Sequence, residues 1–286
     1  MSELYLHTRR SLMSCEDQQT ASLYARNILC RITGKTQEAL LADGEKFVSD
    51  EICQAADNAL ARLLNGEPIA YVLGQWDFYG MTLLVDNHVL IPRDDTCAVV
   101  SLAIQKALSL DNPRVLDLCT GTGCIGLALA SRVKDAQVIL ADISQDAIDV
   151  ANKNIALHKL SDRVTCVRAD ALEEAPGSLG EFDIIISNPP YITTEEMQSL
   201  PPEVKNFEPH LALHGGEDGL KFYRGITKNF RNALKPGGYL CFEYGIGQGA
   251  DVCGILEMNG YTILERTRDY QHIERAVIAQ YGRKEK

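Results

Sequence analysis

The 286-residue chain has no run of about 18 apolar residues, the length needed to cross a bilayer. Its first fifteen residues break their apolar positions with Glu3, His7, Arg9 and Arg10, so they lack the continuous apolar core of a signal peptide. Both absences predict a cytoplasmic protein with no membrane partner. None of the nine cysteines stands at C-x-x-C spacing from another, which removes the usual zinc and redox arrangements, and no metal site is expected. In a reducing compartment they read as small buried hydrophobes. Basic residues are also in deficit, 28 against 39 acidic, for a net charge of −11. The deficit is spread along the chain: residues 1–110 carry 9 basic and 14 acidic side chains, and the rest carry 19 and 25. Residues 1–110 hold no lysine or arginine cluster, so a phosphate-backbone substrate is disfavoured. Low-complexity tracts and internal repeats are missing too. What remains, 45% hydrophobic and 23% charged, is an ordinary globular composition, with length for one large domain and a small one.

Residues 1–65 read as helical. Apolar residues recur at three- and four-residue steps over Thr20 to Ile32 and Asp50 to Leu64, with Ser49 or Asp50 as the cap. Such short helices cannot bury their faces alone, so residues 1–74 are expected to form a small helical domain. Period two takes over at Gln75, and Trp76, Phe78 and Thr82 to Val85 around Tyr79-Gly80 predict a β-hairpin linker over residues 75–92. Residues 93–286 are expected to form the second domain. There, after Asn112-Pro113, seven strands are predicted: Arg114–Leu118, Gln137–Ala141, Val164–Arg168, Phe182–Ser187, Tyr239–Glu243, Tyr261–Arg266 and Glu274–Gln280. Helices are predicted over Cys124–Ser131, Ser144–His158, Leu220–Leu234 and Gly249–Met258. This alternation gives an α/β fold with a doubly wound, mostly parallel sheet. The short link between the last two strands makes them antiparallel neighbours. In such a sheet ligands bind beyond the carboxyl ends of the strands.

One glycine loop lies there. Cys119-Thr120-Gly121-Thr122-Gly123-Cys124-Ile125-Gly126 follows the first strand and matches G-x-G-x-x-G, with Asp142 roughly 20 residues further on. The pattern alone admits a dinucleotide or another nucleoside cofactor. Asp117, at the strand end, would repel a pyrophosphate on the helix amino terminus but attract the sulfonium and ammonium of S-adenosylmethionine. Asp142 can accept from both ribose hydroxyls, and Asp170, beside Ala171, can accept from the adenine amino group. Three strand ends each followed by an aspartate suit a cationic nucleoside best.

The fourth strand runs into Asn188-Pro189-Pro190-Tyr191. Pro190 forces Pro189 into an extended conformation, which leaves its carbonyl without a local partner. With the Asn188 amide oxygen this makes two acceptors for a planar NH₂ group, and Tyr191 offers a ring face to stack on it. A planar NH₂ is a poor nucleophile because its lone pair is delocalised. Two acceptors turn that lone pair toward a methyl donor and stabilise the positive charge that develops on nitrogen. No histidine or carboxylate base is required, since the methylated nitrogen is itself strongly acidic.

Asp117-Leu118-Cys119-Thr120-Gly121-Thr122-Gly123 with Ser187-Asn188-Pro189-Pro190-Tyr191 resembles the amino-methylating class I methyltransferases, which have a Rossmann-like sheet. Within them the chain most resembles the peptide-chain release factor glutamine methyltransferases. Residues Pro68 to Gly74, Leu90-Ile91-Pro92-Arg93, Glu208 to Leu213 with Gly215-Gly216, and Glu243 with Gln248 extend the resemblance over nearly the whole length. It implies that Asn188, Pro189, Pro190 and Tyr191 take the side-chain amide of a glutamine in a release factor's Gly-Gly-Gln loop, with methylation at N5. It also implies that Asp117, Cys119, Thr120, Gly121, Thr122, Gly123, Asp142, Asp170, Ala171 and Asn188 hold S-adenosylmethionine, and that the amino-terminal domain docks the release factor. The chain departs from the family at Cys119, usually a glycine, at Asp94-Asp95-Thr96-Cys97, and at Ala171, where some relatives place a large ring.

Two other readings use the same residues. A nucleic-acid amino methyltransferase would flip a base onto the motif, but it calls for a basic recognition module. A non-enzymatic dinucleotide sensor would use the glycine loop alone. Arg93 reads either as a cofactor-orienting residue or as a surface arginine, Glu243 either as part of the site or as a structural carboxylate, and His210 as structural.

Overall fold

The computed structural model describes residues 1–282, and the chain divides into two compact units. The first comprises Met1–Gln75 together with Pro201–Phe207. It is built from α1 (Ser2–Leu12), α2 (Gln18–Thr33), α3 (Gln37–Ala42), α4 (Asp50–Leu64), α5 (Ile69–Leu73) and, from the later segment, α9 (Pro202–Phe207). Side-chain caps start three of these helices. Asp17 accepts from Gln19 N and Thr20 N, Thr36 from Ala39 N, and Ser49 from Ile52 N. Leu4, Leu29, Leu40 and Ala56 form a shared buried cluster, each large side chain contributing about 1.5–3 kcal/mol over an exposed one. The periodicity reading anticipated α2 and α4. Within the region read as helical it set no bounds for α1, whose Leu4, Thr8 and Leu12 are buried at four-residue spacing, because a threonine stands in the apolar stripe.

The second unit comprises Trp76–Leu200 and Glu208–Lys286. Strands β1 (Gln75–Phe78) and β2 (Met81–Leu84) form the expected hairpin. Its turn, Tyr79-Gly80, has φ of 51° and 78°, the positive pair that a two-residue hairpin requires. A helix the sequence reading did not place, α6 (Cys97–Ala107), follows. Eight of its eleven residues are buried, so it has no polar face whose period could be read.

The main sheet contains β3 (Arg114–Leu118), β4 (Gln137–Asp142), β5 (Val164–Arg168), β6 (Phe182–Ser187), β7 (Leu234–Glu243), β8 (Tyr261–Arg268) and β9 (Glu274–Tyr281), in the order β5-β4-β3-β6-β7-β9-β8. The first five are parallel, and β9 is antiparallel to both of its neighbours, as the short link predicted. Helices α7 (Cys124–Arg132) and α8 (Gln145–Leu157) pack with α6 on one face; α10 (Lys221–Asn229) and α11 (Gly249–Met258) cover the other. One boundary needs correction. The helix expected over Leu220–Leu234 ends at Asn229, and Leu234 already belongs to β7. A register shift between Phe182 and Ile184 absorbs Pro236-Gly237-Gly238, a triplet that reads as a turn. The cysteine expectation also needs correction. All nine thiols are free; Cys97 and Cys241 are buried, six others are half-buried, and Cys15 is exposed. Among the described residues no helix is long and apolar enough to cross a membrane.

Because β4 and β6 flank β3 on opposite sides, the strand order reverses beside β3. That is where an open α/β sheet leaves a crevice at its carboxyl edge.

Candidate active site

A cavity of about 710 Å³ opens at that edge, inside the range of small-molecule sites. Its wall includes residues 119–122 after β3, 142–144 at the end of β4, 169–172 after β5, and Asn188 and Pro190 after β6. Four strand ends therefore bring the glycine loop and the Asn-Pro-Pro-Tyr segment to one cavity, as their sequence positions predicted.

The loop turns sharply, with Thr120 N donating to Ala141 O at 3.1 Å and Gly123 N to Thr120 O at 2.8 Å. Cys119 opens it at φ 62°, a left-handed conformation that costs a residue with a β-carbon about 1–2 kcal/mol. Glycine, which lacks a β-carbon, is the residue that adopts it freely. Burial raises the Cys119 thiol well above its ordinary range, so it remains protonated. From outside the loop, Asn154 donates to Thr122 O at 3.0 Å and also exchanges bonds with the Leu84 backbone, a buried anchor that sequence reasoning missed.

Asp117 does not reach the cavity wall. It is 0% exposed, and Oδ2 accepts from Thr120 Oγ1 at 2.7 Å and from Gly126 N at 2.8 Å. Burial pushes its carboxyl up to about 7 against those two bonds. Strand alternation puts it on the Val115 side of β3, beneath the loop, where it ties the loop to the first turn of α7. Gly123, also expected to touch the cofactor, lies outside the wall as well. Gly126 permits the close approach of helix and strand, since a β-carbon there would stand 2.3 Å from Leu140 Cδ2 and 3.1 Å from Asp117 Oδ2.

The other two aspartates do line the cavity. Asp142 accepts from Gly121 N and Ser144 N, each at 3.0 Å, and burial raises its pKa against those bonds. Asp170 Oδ1 accepts from Leu172 N at 2.8 Å. Ala171 supplies a small, buried stretch of wall beside it.

In the Asn-Pro-Pro-Tyr segment, Asn188 reaches the wall and donates from Nδ2 to Thr96 Oγ1 at 3.3 Å. Pro190 also lines it. Pro189 is buried and outside the wall, and among the described residues its carbonyl has no assigned donor. Tyr191 is outside the wall too. Burial, with Glu243 adding to it, pushes its phenol up to about 12, and its carbonyl accepts from Gln248 Nε2 at 3.0 Å. Gln248 is itself fixed by Gly245 N at 2.9 Å. On the far side, Ile192 and His214 form a parallel bridge, with Gly215 N on Ile192 O at 2.8 Å. A β-carbon on Gly215 would lie 2.6 Å from Tyr191 Cα and 2.7 Å from Pro190 O, so the motif's backbone rests directly on this glycine. Arg93, also in the wall, forms an ion pair with Glu208, whose other oxygen accepts from Ile91 N at 3.3 Å. Arg93 is thus bound to the Glu208-Pro209-His210 segment.

The family model described as Methyltransferase small domain matches residues 94–201, and that described as PrmC N-terminal domain matches residues 3–74. The release factor glutamine methyltransferase of Clostridium acetobutylicum is 43% identical over 217 residues, 75% of this chain and 75% of that protein. That of Geobacter sulfurreducens is 36% identical over 273 residues, 96% of this chain and 94% of that protein. The chain spans 52% of the bifunctional methyltransferase of Rickettsia typhi, to which it is 37% identical. The solved hMettl16 catalytic domain in complex with the MAT2A 3′UTR hairpin 6 is similar at a TM-score of 0.57, over 83% of this chain and 84% of that one. At 15% identity that likeness is one of fold, the Rossmann-like class I methyltransferase sheet. The chain belongs to the release factor glutamine methyltransferase family.

Proposed function

We propose that the protein transfers a methyl group from S-adenosylmethionine to the side-chain N5 of the glutamine in the Gly-Gly-Gln loop of a peptide-chain release factor. The observation that carries this reading is a cavity whose wall holds both Asn188 and the loop of residues 119–122. The donor set suits a cationic nucleoside. Asp142 and Asp170 sit in the wall with carboxylate lone pairs beyond those that their backbone partners use, and the small Ala171 leaves room beside them. Cys119, Thr120, Gly121 and Thr122 would lie along the cofactor, Asp142 would accept from ribose hydroxyls and Asp170 from the adenine edge. Asp117 and Gly123 would act through the loop's shape. Bound there, S-adenosylmethionine supplies an electrophilic methyl carbon.

The chain's own part is to orient the amide. Asn188 Oδ1 accepts one hydrogen of the glutamine NH₂, and the Pro189 carbonyl is the candidate acceptor for the other. Held in this way, the nitrogen lone pair is drawn out of conjugation with the carbonyl and points at the methyl carbon, and the acceptor dipoles stabilise the charge that moves onto nitrogen. After transfer, the cationic nitrogen releases its proton to water, so the chemistry asks nothing of His210 or His214. Tyr191 serves as a brace, its carbonyl held by Gln248. The amino-terminal unit is the proposed docking element for the release factor, and the net charge of −11 favours a basic protein surface over nucleic acid.

Mass spectrometry of a release factor after incubation with enzyme and labelled S-adenosylmethionine tests the reading. One added methyl group on the Gly-Gly-Gln glutamine is expected, and its loss in Asn188→Ala with cofactor binding retained in weakened form. Methylation of RNA or DNA with no methylation of the release factor would overturn it.

A further inference from the structure

The amide clamp has a degeneracy. The two ends of an asparagine carboxamide have nearly the same shape, and a flipped Asn188 would present its NH₂ to the substrate NH₂, two donors facing each other. Thr96 alone does not settle the orientation, because a hydroxyl can accept from Nδ2 or donate to Oδ1 equally well. An acceptor-only group behind both residues is needed.

Glu243 occupies that place. It ends β7 and is 1% exposed, the Thr96 and Asn188 side chains both act on its carboxyl, and among the described residues its Oε2 has no hydrogen-bond partner. We propose that Glu243 is a positioning residue for Asn188. Ionised, it takes the Thr96 hydroxyl hydrogen, which leaves Thr96 Oγ1 to accept from Asn188 Nδ2. It also draws the remaining Asn188 hydrogen inward, so that Oδ1 is the atom facing the cavity. The inference rests on the reading of Asn188 as the acceptor for the substrate amide.

The groups around Glu243 allow this role to be read by pH. Asp95 and Arg275 face it from the turn before α6 and from β9, and they are paired with each other at 2.7 Å. Tyr191, Tyr223, Cys97 and Cys124 also feel its charge, and burial raises all four above their ordinary values. Burial, with Asp95 adding to it, pushes Glu243 itself up to about 8 against Thr96, Arg275 and Asn188. Its neutral form can donate, which removes the bias on the amide. Methyl transfer therefore rises with pH through about 8.

The test compares the full chain with Glu243→Gln, Glu243→Asp and Thr96→Val. Glu243→Gln should lower kcat on a release factor about ten- to hundred-fold with little change in KM, and should lose the rise through pH 8. Glu243→Asp should recover part of the rate, and Thr96→Val should reproduce the kcat loss if Glu243→Gln fails to fold. Unchanged kcat and an unchanged pH profile in the folded variants would overturn the proposal. A second measurement needs no turnover. The ¹⁵N-resolved Asn188 carboxamide hydrogens should exchange with solvent at least about ten-fold faster in Glu243→Gln, reporting the lost bonds. Faster exchange together with a wild-type enzyme inert toward release factors would sink the function reading and leave the positioning intact. Equal exchange would sink the positioning.

Discussion

Asp117 carries a carboxyl with no exposure and, among the described residues, one oxygen, Oδ1, without a partner, which is an expensive place for a charge. Its pKa, pushed up to about 7 from an ordinary 3.8, means that the folded state holds this proton more tightly than the unfolded chain does. The associated stability is therefore complete below about pH 4 and is lost as pH rises through about 7. Asp117→Asn, followed by urea midpoints across that range, should decline less steeply with pH than the wild type; parallel curves would contradict the assignment. That the Asp117 side chain lies beneath the loop was hard to read from sequence for a physical reason. That an aspartate ends a strand is legible from the apolar run before it, but whether it points over the loop or under it depends on strand alternation. Val115 and Asp117 share a face, which is the signal that places Asp117 below. Asp142, Asp170 and Asn188 were legible because each stands in or beside a turn, where the side chain reaches the crevice whichever face the strand presents. Glu208 and Asn154 were not, because their partners, Arg93 and the Thr122 and Leu84 backbone, lie 115, 32 and 70 residues away.

At the scale of elements, the segment after β6 is held by contacts more than by its own conformation. Gly215 lies against the backbone of Pro190 and Tyr191, and Gln248 joins Tyr191 to the end of β7. Gly215→Ala should leave the fold standing, since the denaturation midpoint reports the whole sheet. It should lower methyl transfer by about a hundred-fold, because a β-carbon 2.6 Å from Tyr191 Cα forces the motif to move. A variant with normal turnover would show that the motif tolerates displacement. The parallel strands were the easiest elements to read, being short apolar runs between turn residues. Helix α6 was not read, because burial on nearly every side erases the polar stripe that periodicity depends on.

For the whole molecule, the net charge of −11 sets how partners arrive. If the release factor presents a basic face, kcat/KM should fall several-fold when salt rises from about 0.05 to 0.5 M, with kcat less affected. A flat kcat/KM would assign docking to apolar contact. The sheet has a temporal consequence as well. Strand β9 follows β8 in the chain but lies between it and β7, so β8 has no place on the sheet until β9 has inserted. A growing chain therefore carries the Leu234–Glu243 edge bare, open to pairing with another molecule, until residues 274–281 arrive. Arg275 arrives with them, and it is the cation that balances Glu243 and Asp95. The neighbourhood of the substrate amide is thus the last part of the site to form, and a chaperone that shields the β7 edge would protect folding and catalytic competence in the same act.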